Sequence, residues 1–285
     1  MELRTLRYFV AVADELHFGR AAARLHISQP PLSRAIQRLE NDLGAVLFER
    51  SSAGVALTPA GAVLLDEARG LLDQVERARV RVAVASGVAV LTVGLLGDSG
   101  DPLVARLADA YRLRHPDVEV RVRETELADP TCGLNAGVVD VALTRGPFDE
   151  TGLVVRELRA DPVGALLRDD DPLAGRGSLK LADLVDRRWF RFPEGTDSRW
   201  PGYWNGGEVR EGPVVRAVEE CRQAVLWNGT VGMTLVDHPP GAGLAVVPLV
   251  DMQPSPVVVA WRGAEANPLV QSFVRVAAAV YRGRR

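Results

Sequence analysis

The sequence predicts an α/β protein in three parts: an N-terminal winged helix-turn-helix, a long linker helix, and a C-terminal α/β region of two subdomains. Three observations predict it. Apolar residues at helical spacing, broken by helix-cap signals, fill the first 58 residues. A stripe at heptad spacing follows over residues 59–83. Beyond residue 89 short apolar runs alternate with helical stripes, which implies parallel βαβ units.

A chain of 285 residues exceeds one ordinary core. The expected boundaries are 1–58 for the N-terminal unit, 59–88 for the linker, and 89–285 for the C-terminal region. Within the last part, 89–160 and 261–285 form one subdomain and 161–260 the other. With 47% hydrophobic and 25% charged residues the composition is that of a soluble globular protein. No apolar run reaches the length of a membrane span. Met1-Glu2-Leu3-Arg4 does not read as a secretory signal, and Cys132 and Cys221 are too few and too far apart for a disulfide framework. The cytoplasm is the expected compartment, with no membrane partner.

A net charge of −3 is low for a nucleic-acid binder. The first 58 residues hold seven arginines, at 4, 7, 20, 24, 34, 38 and 50, against six acids. The case for DNA therefore depends on where the arginines point. Lys180 is the sole lysine, which reads as composition bias.

Leu3, Leu6, Phe9, Val10 and Ala13 mark the first helix. Arg20 to Leu25 forms a second, short one, with Gly19 at its cap. Ser28 is a good N-cap for a third helix, and Pro30 and Pro31 fit its first turn, where a missing N–H costs nothing. Leu32, Ile36 and Leu39 form its buried stripe and Gly44 its C-cap. Gln29, Ser33, Arg34, Gln37 and Arg38 occupy the other faces. This is the helix-turn-helix order, whose last helix enters the major groove. Val46–Phe48 and Val55–Leu57 flank a turn and read as a wing, with Arg50 placed to meet phosphate. A plain three-helix core with a solvated polar face would show the same periodicity.

Phe18 to Gly61, FGRAAARLHISQPPLSRAIQRLENDLGAVLFERSSAGVALTPAG, resembles the DNA-binding segment of LysR-type transcriptional regulators. The paired alanines, S-Q-P-P-L-S-R, R-L-E-x-x-L-G, L-F-E-R and L-T-P-A-G fall in the family's order. The resemblance implies contact with double-stranded DNA from Gln29, Pro30, Ser33 and Arg34, supported by Arg50. Gln37 joins them as a candidate from its place on the helix. The family usually carries a basic residue near the wing tip, where this chain has Ser52-Ala53-Gly54.

Thr58-Pro59 opens the linker helix. Leu64, Ala68, Leu71, Val75, Ala78 and Val82 step along it by fours and threes, a seam for lengthwise pairing of two helices. A helix lying on its own domain is the alternative. A homodimer follows from the seam. The helix-turn-helix together with this seam points to a dyad-symmetric operator, and the resemblance adds a homotetramer.

In the C-terminal part, Val90–Leu96, Val118–Val122, Val139–Thr144, Val163–Leu167, Trp189–Phe192, Val231–Leu235 and Val257–Trp261 read as strands. Pro102–Arg114 and Pro268–Arg282 read as helices, the last returning to the first subdomain. Arg114-His115-Pro116-Asp117-Val118, Gly137 to Leu143 and Asp171-Pro172-Leu173-Ala174 resemble the effector-binding domain of the same family, itself similar to periplasmic solute-binding proteins. That implies a small-molecule co-inducer and no cofactor.

In open α/β sheets ligands sit beyond the carboxyl ends of strands. Those ends carry Asp98, Ser99 and Gly100, then Thr125, then Arg145, with Phe192, Thr196 and Ser198 across the cleft. Asp98 and Asp101 would repel a bare carboxylate, so the expected effector is neutral, zwitterionic or amine-bearing. No zinc-protease helix, nucleophile elbow or phosphate loop is present, and His17, His26, His115 and His238 are scattered. No enzyme is expected, and no metal. A ligand-independent regulator and a solute-binding protein are the remaining alternatives. Cys221 alone does not make the close cysteine pair of the family's peroxide-sensing branch.

Overall fold

The computed structural model describes residues 1–25, 27–51, 54–87, 90–97, 101–207, 211–263 and 267–282. The chain divides into two units, Met1–Val82 and Ala83–Arg285.

In the first unit, α1 (Leu3–Glu15), α2 (Phe18–Arg24) and α3 (Gln29–Leu43) precede an antiparallel wing of β1 (Phe48–Ser51) and β2 (Gly54–Leu57). The long helix α4 (Pro59–Ala85) follows. Leu6, Phe9, Val12, Ala21, Leu32, Ile36, Leu39, Leu47 and Phe48 close one core. Gly44 ends α3 in the left-handed region at φ 64°, which glycine adopts without a Cβ clash. Two cap expectations change. The cap of α2 is His17, whose Nδ1 accepts from Arg20 N at 3.2 Å, and Gly19 lies inside the helix. Ser28 holds the N-cap position of α3 in extended backbone, but its side chain makes no cap bond. Thr58 does cap α4: its Oγ1 accepts from Gly61 N at 2.9 Å and donates to Val46 O at 2.7 Å. That pair of bonds ties the wing to the linker helix.

The second unit holds two sheets. The first has the order β4-β3-β5-β10-β6, from β3 (Val90–Leu96), β4 (Glu119–Thr125), β5 (Val141–Arg145), β6 (Leu153–Asp161) and β10 (Ser255–Arg262). β3 runs parallel to β4 and β5, while β10 is antiparallel to β5 and β6. The second sheet, β8-β7-β9, is wholly antiparallel, from β7 (Val163–Arg168), β8 (Gly232–Leu235) and β9 (Leu244–Pro248). The helices are α5 (Pro102–Arg114), α6 (Arg199–Trp204), α7 (Val218–Asn228) and α8 (Pro268–Arg282). α8 returns to the first sheet: Tyr111 of α5 meets Phe273 at 5.5 Å, and His115 Nε2 lies 2.6 Å from Ser272 Oγ.

Three expectations need correction. The strand around 257–261 belongs to the first sheet, so the chain has crossed back before residue 255 and not near 260. The apolar run 257–260 is buried by pairing on both sides, which fits a central strand of either sheet, and periodicity alone does not choose between them. The second subdomain is not a parallel βαβ sheet. Trp189–Phe192 forms isolated parallel bridges, Trp189 with Val231 and Arg191 with Val214, and no named strand.

Candidate functional site

On α3, Gln29, Pro30, Arg34, Gln37 and Arg38 are exposed and Ser33 is half-buried, while Leu32, Ile36 and Leu39 face the core. The sequence therefore puts its polar candidates on one accessible surface. The charge distribution sharpens this. Asp14 is engaged by Arg24 at 3.2 Å and Arg69 at 2.8 Å, and Glu15 by Arg24 at 3.2 Å and Arg20 at 3.6 Å. Glu40 spends Oε1 on the backbone N–H groups of Leu47 and Phe48, at 2.9 and 3.2 Å, which pins the wing against α3. Among the described residues no carboxylate pairs with Arg34 or Arg38. The guanidinium groups of α3 are thus left unmatched among the described residues, where a phosphate or base edge can take them. Arg50 stands opposite Val55 in the wing register, but its side chain, like Ser52 and Ala53 at the tip, lies outside the described residues.

Along α4 the proposed seam divides. Ala68 is 0% exposed inside the core of its own unit, and Leu64 packs against that core. Ala68 cannot face a partner, which corrects its place in the seam: Leu64, Leu65, Ala68 and Leu72 lie on their own domain. Leu71 is 39% and Val82 67% exposed, Ala78 is exposed and Val75 half-buried. These four remain on an accessible face.

Within the second unit a cavity of about 130 Å³ lies between the two sheets. Leu95, Leu96, Gly97, Leu143, Thr144, Arg145 and Val257 line it from the first sheet, and Leu166, Met233, Thr234 and Leu235 from the second. Phe190, Phe192, Trp200 and Trp204 form an aromatic wall, with Phe192 and Trp200 edge to face at 6.4 Å and the two indoles 5.4 Å apart. α7 brings Val218, Cys221 and Arg222, and the loop after β8 brings His238 and Pro240. Arg222 contacts His238 and donates to Pro239 O at 3.3 Å, tying that loop to α7.

Of the expected effector residues, Arg145 and Phe192 line this cavity. Thr125, Thr196 and Ser198 do not. Thr125 Oγ1 donates to Leu95 O at 3.3 Å, and Thr196 Oγ1 to Pro193 O at 2.8 Å, so both hydroxyls serve the backbone. Ser198 is the residue before α6 and makes no cap bond. Asp98, Ser99 and Gly100 lie outside the described residues. The sequence did not place Trp200, Trp204, Cys221, Arg222 or His238 at the effector site. The compositional hint was the aromatic cluster in 189–204, but nothing in its spacing says which way the rings face.

A chain of ion pairs runs behind the cavity. Arg145 Nη2 meets Asp161 Oδ2 at 2.7 Å, Arg159 Nε meets Asp161 Oδ1 at 2.8 Å, and Arg159 Nη2 meets Asp101 Oδ2 at 2.7 Å. Asp101 Oδ1 also caps α5 by accepting from Leu103 N at 2.9 Å. Asp101, the one acid that lines the cavity among the described residues, thus has both oxygens committed. Burial pushes the Cys221 thiol up to about 12, and that of Cys132, packed under β3, up to about 11. Both are neutral thiols and poor nucleophiles. Among the described residues no group of three or more His, Cys, Asp or Glu could hold a metal ion. No helix of the described residues is long and apolar enough to cross a membrane.

Comparison with known proteins agrees with this geometry. Residues 3–62 match the family model for bacterial regulatory helix-turn-helix proteins of the lysR family, and residues 85–282 match the LysR substrate binding domain. The uncharacterised HTH-type transcriptional regulator YnfL of Escherichia coli strain K12 is 40% identical over 190 residues, 65% of this chain and 63% of that protein, less than two thirds of its length. The Hca operon transcriptional activator HcaR of the same strain is 31% identical over 293 residues, covering 97% of each chain. Full-length CbnR, solved in complex with its target DNA, is 26% identical with a TM-score of 0.51, covering 99% of this chain and 100% of that one. With a helix-turn-helix unit on one side of α4 and a two-sheet substrate-binding domain on the other, the chain belongs to the LysR family of bacterial transcriptional regulators.

Proposed function

We propose that this chain is a cytoplasmic, non-enzymatic regulator that binds a dyad-symmetric DNA operator as a homodimer or homotetramer, with its activity set by a small molecule held between the two sheets of its second unit. Residues 1–58 read DNA, 59–88 pair subunits, and 89–285 hold the effector, with the crossover back to the first sheet moved to before residue 255. The observation that carries this is the surface of α3. It offers Gln29, Arg34 and Gln37, donors and acceptors suited to base edges, and its guanidinium groups have no carboxylate partner among the described residues. Pro30 and Ser33 frame the approach of the helix start, and Arg50 on the wing supplies a phosphate contact. Leu71, Val75, Ala78 and Val82 provide the pairing face. Arg145 and Phe192 serve the effector.

Gel-shift titration with operator and competitor DNA tests the reading. Arg34→Ala weakens operator binding by about 1–3 kcal/mol and relaxes sequence preference, while Arg50→Ala weakens all DNA and flattens the salt dependence. An Arg34→Ala protein with unchanged operator preference contradicts the assignment of α3 as the reading helix.

A further inference from the structure

We infer that Asp14 is a positioning residue: by locking the linker helix α4 to the helix-turn-helix, it fixes the spacing at which two copies of α3 meet DNA. The inference rests on the reading of the first unit as a paired DNA binder and adds what sets the distance between its half-sites.

α4 serves two surfaces at once. Leu64, Leu65, Ala68 and Leu72 pack on the core of the first unit, while Leu71, Val75, Ala78 and Val82 form the pairing face. Apolar packing holds the helix down but is non-directional, so on its own it leaves the helix free to tilt. Tilt matters because of length. At about 1.5 Å per residue, the middle of the pairing face stands roughly 28 Å from Thr58. Over that length a tilt of about 7° displaces each copy of α3 by about 3.4 Å, one base-pair step of DNA. Spacing held to a single base pair therefore needs ties with a direction.

Such ties occur at two points along α4. At its start Thr58 N donates to Leu47 O at 3.0 Å and Thr58 Oγ1 to Val46 O at 2.7 Å. The backbones come so close there that a Cβ on Gly61 would stand 2.2 Å from Leu47 O. The same wing root is held to α3 by Glu40 through Leu47 N and Phe48 N. One anchored end is still a pivot. The second tie lies about 16 Å further along the helix. There Arg69 Nη2 donates to Asp14 Oδ1 at 2.8 Å, and Arg24 Nη2 donates to Asp14 Oδ2 at 3.2 Å. One carboxylate thus joins the end of α1, the end of α2 and the third turn of α4. The Asp14 side chain is only 11% exposed, so these charge-assisted bonds are shielded from the water that weakens most surface pairs. α2 and α3 share the core around Ala21, Ala22, Leu32 and Ile36. The direction of α4 is therefore passed to α3 through α2, with Asp14 as the joint.

The test is a gel shift of the full-length protein on a symmetric operator taken from a random duplex pool. The same operator is tested with its half-sites moved by one and two base pairs, beside a duplex that carries a single half-site. Each added base pair shifts one half-site by about 3.4 Å and turns it by about 35°. Wild type loses about tenfold or more in affinity for a one-base-pair change, because the second half-site can no longer be engaged from the first. Asp14→Asn keeps the size of the side chain and gives up its charge. It shrinks that spacing penalty severalfold and binds the single half-site within about twofold of wild type, since the DNA-facing surface of α3 is untouched. Arg69→Gln cuts the same tie from an exposed position on α4 and has the same effect, so the question is answered even where Asp14→Asn does not fold. The double variant tolerates altered spacing no better than Asp14→Asn. A residue that only stabilised the fold would change affinity for every duplex alike and leave the ratio between spacings as it was. An unchanged ratio in both variants overturns the inference. So does a wild type indifferent to a one-base-pair change, or variants whose half-site affinity falls in step with the operator. A pool that yields no operator removes the reading of α3 and the inference with it, whereas intact half-site binding without spacing preference removes the inference alone.

Discussion

Single residues carry the sharpest chemistry, and here sequence reading was least even. The exposed polar set on α3 was legible because a helix with one apolar stripe leaves only its other faces for Gln29, Arg34 and Gln37. Glu40 was quoted as part of a motif, yet its work as a double acceptor for Leu47 and Phe48 is visible only once the wing is folded against α3. His17 was missed as a cap because imidazole is an uncommon one and glycine next to it looked adequate. Trp200 and Trp204 were missed because α6 is a helix of only six residues, too short for an apolar period to stand out. Two predictions belong to this scale. Thr58→Ala removes a cap that also anchors Val46 and costs about 1 kcal/mol, measurable as a lowered unfolding midpoint of the first unit. Cys132 and Cys221 titrate far above the ordinary thiol value of about 8.5. Both therefore react slowly with a disulfide reagent at pH 8 in the native state and fully on denaturation. Because unfolding frees these thiols to ionise above about pH 8.5, stability falls with rising pH from that point. Rapid reaction of either cysteine in the folded protein contradicts the burial argument.

At the scale of elements, periodicity placed α1, α3, α5 and α8 well, with Gly44 as the stop of α3. β10 was assigned to the wrong sheet because a run buried on both sides carries no information about its neighbours. The heptad pattern of α4 was real, but two different partners share it: the core of its own unit takes Leu64 and Ala68, and Leu71 to Val82 stay accessible. This division makes opposite predictions for neighbouring turns. Ala68→Arg buries an unpaired charge and unfolds the first unit, seen as lost helical circular dichroism. Leu71→Arg leaves that unit folded but places like charges across a symmetric pair, so light scattering shows smaller particles and operator affinity drops. An unchanged oligomer with Leu71→Arg contradicts pairing along α4. A further strand-level test lies at Gly94 on β3, where an added Cβ would sit 2.4 Å from Cys132 O and 2.7 Å from its Cβ. Gly94→Ala overpacks this contact and destabilises by about 1–3 kcal/mol, read as a lower melting temperature.

Across the whole molecule, the division of labour was legible from the change of period near residue 89, but the cavity was not. Its walls come from segments as distant in sequence as Leu95, Phe192, Cys221 and Tyr281. Their meeting depends on two crossings between sheets that no local pattern encodes. The strand-end rule found Arg145 because that residue ends β5, and it misplaced Thr125 because its hydroxyl turns back to Leu95 O. The central claim is that this chain reads a defined DNA sequence through paired copies of α3. Selection from a random duplex pool with the full-length protein tests it most directly. The account predicts enrichment of a site with two-fold symmetry, its half-sites separated by whole helical turns of about 10–10.5 base pairs. A pool that emerges with no enriched sequence, or with one that lacks symmetry, contradicts it.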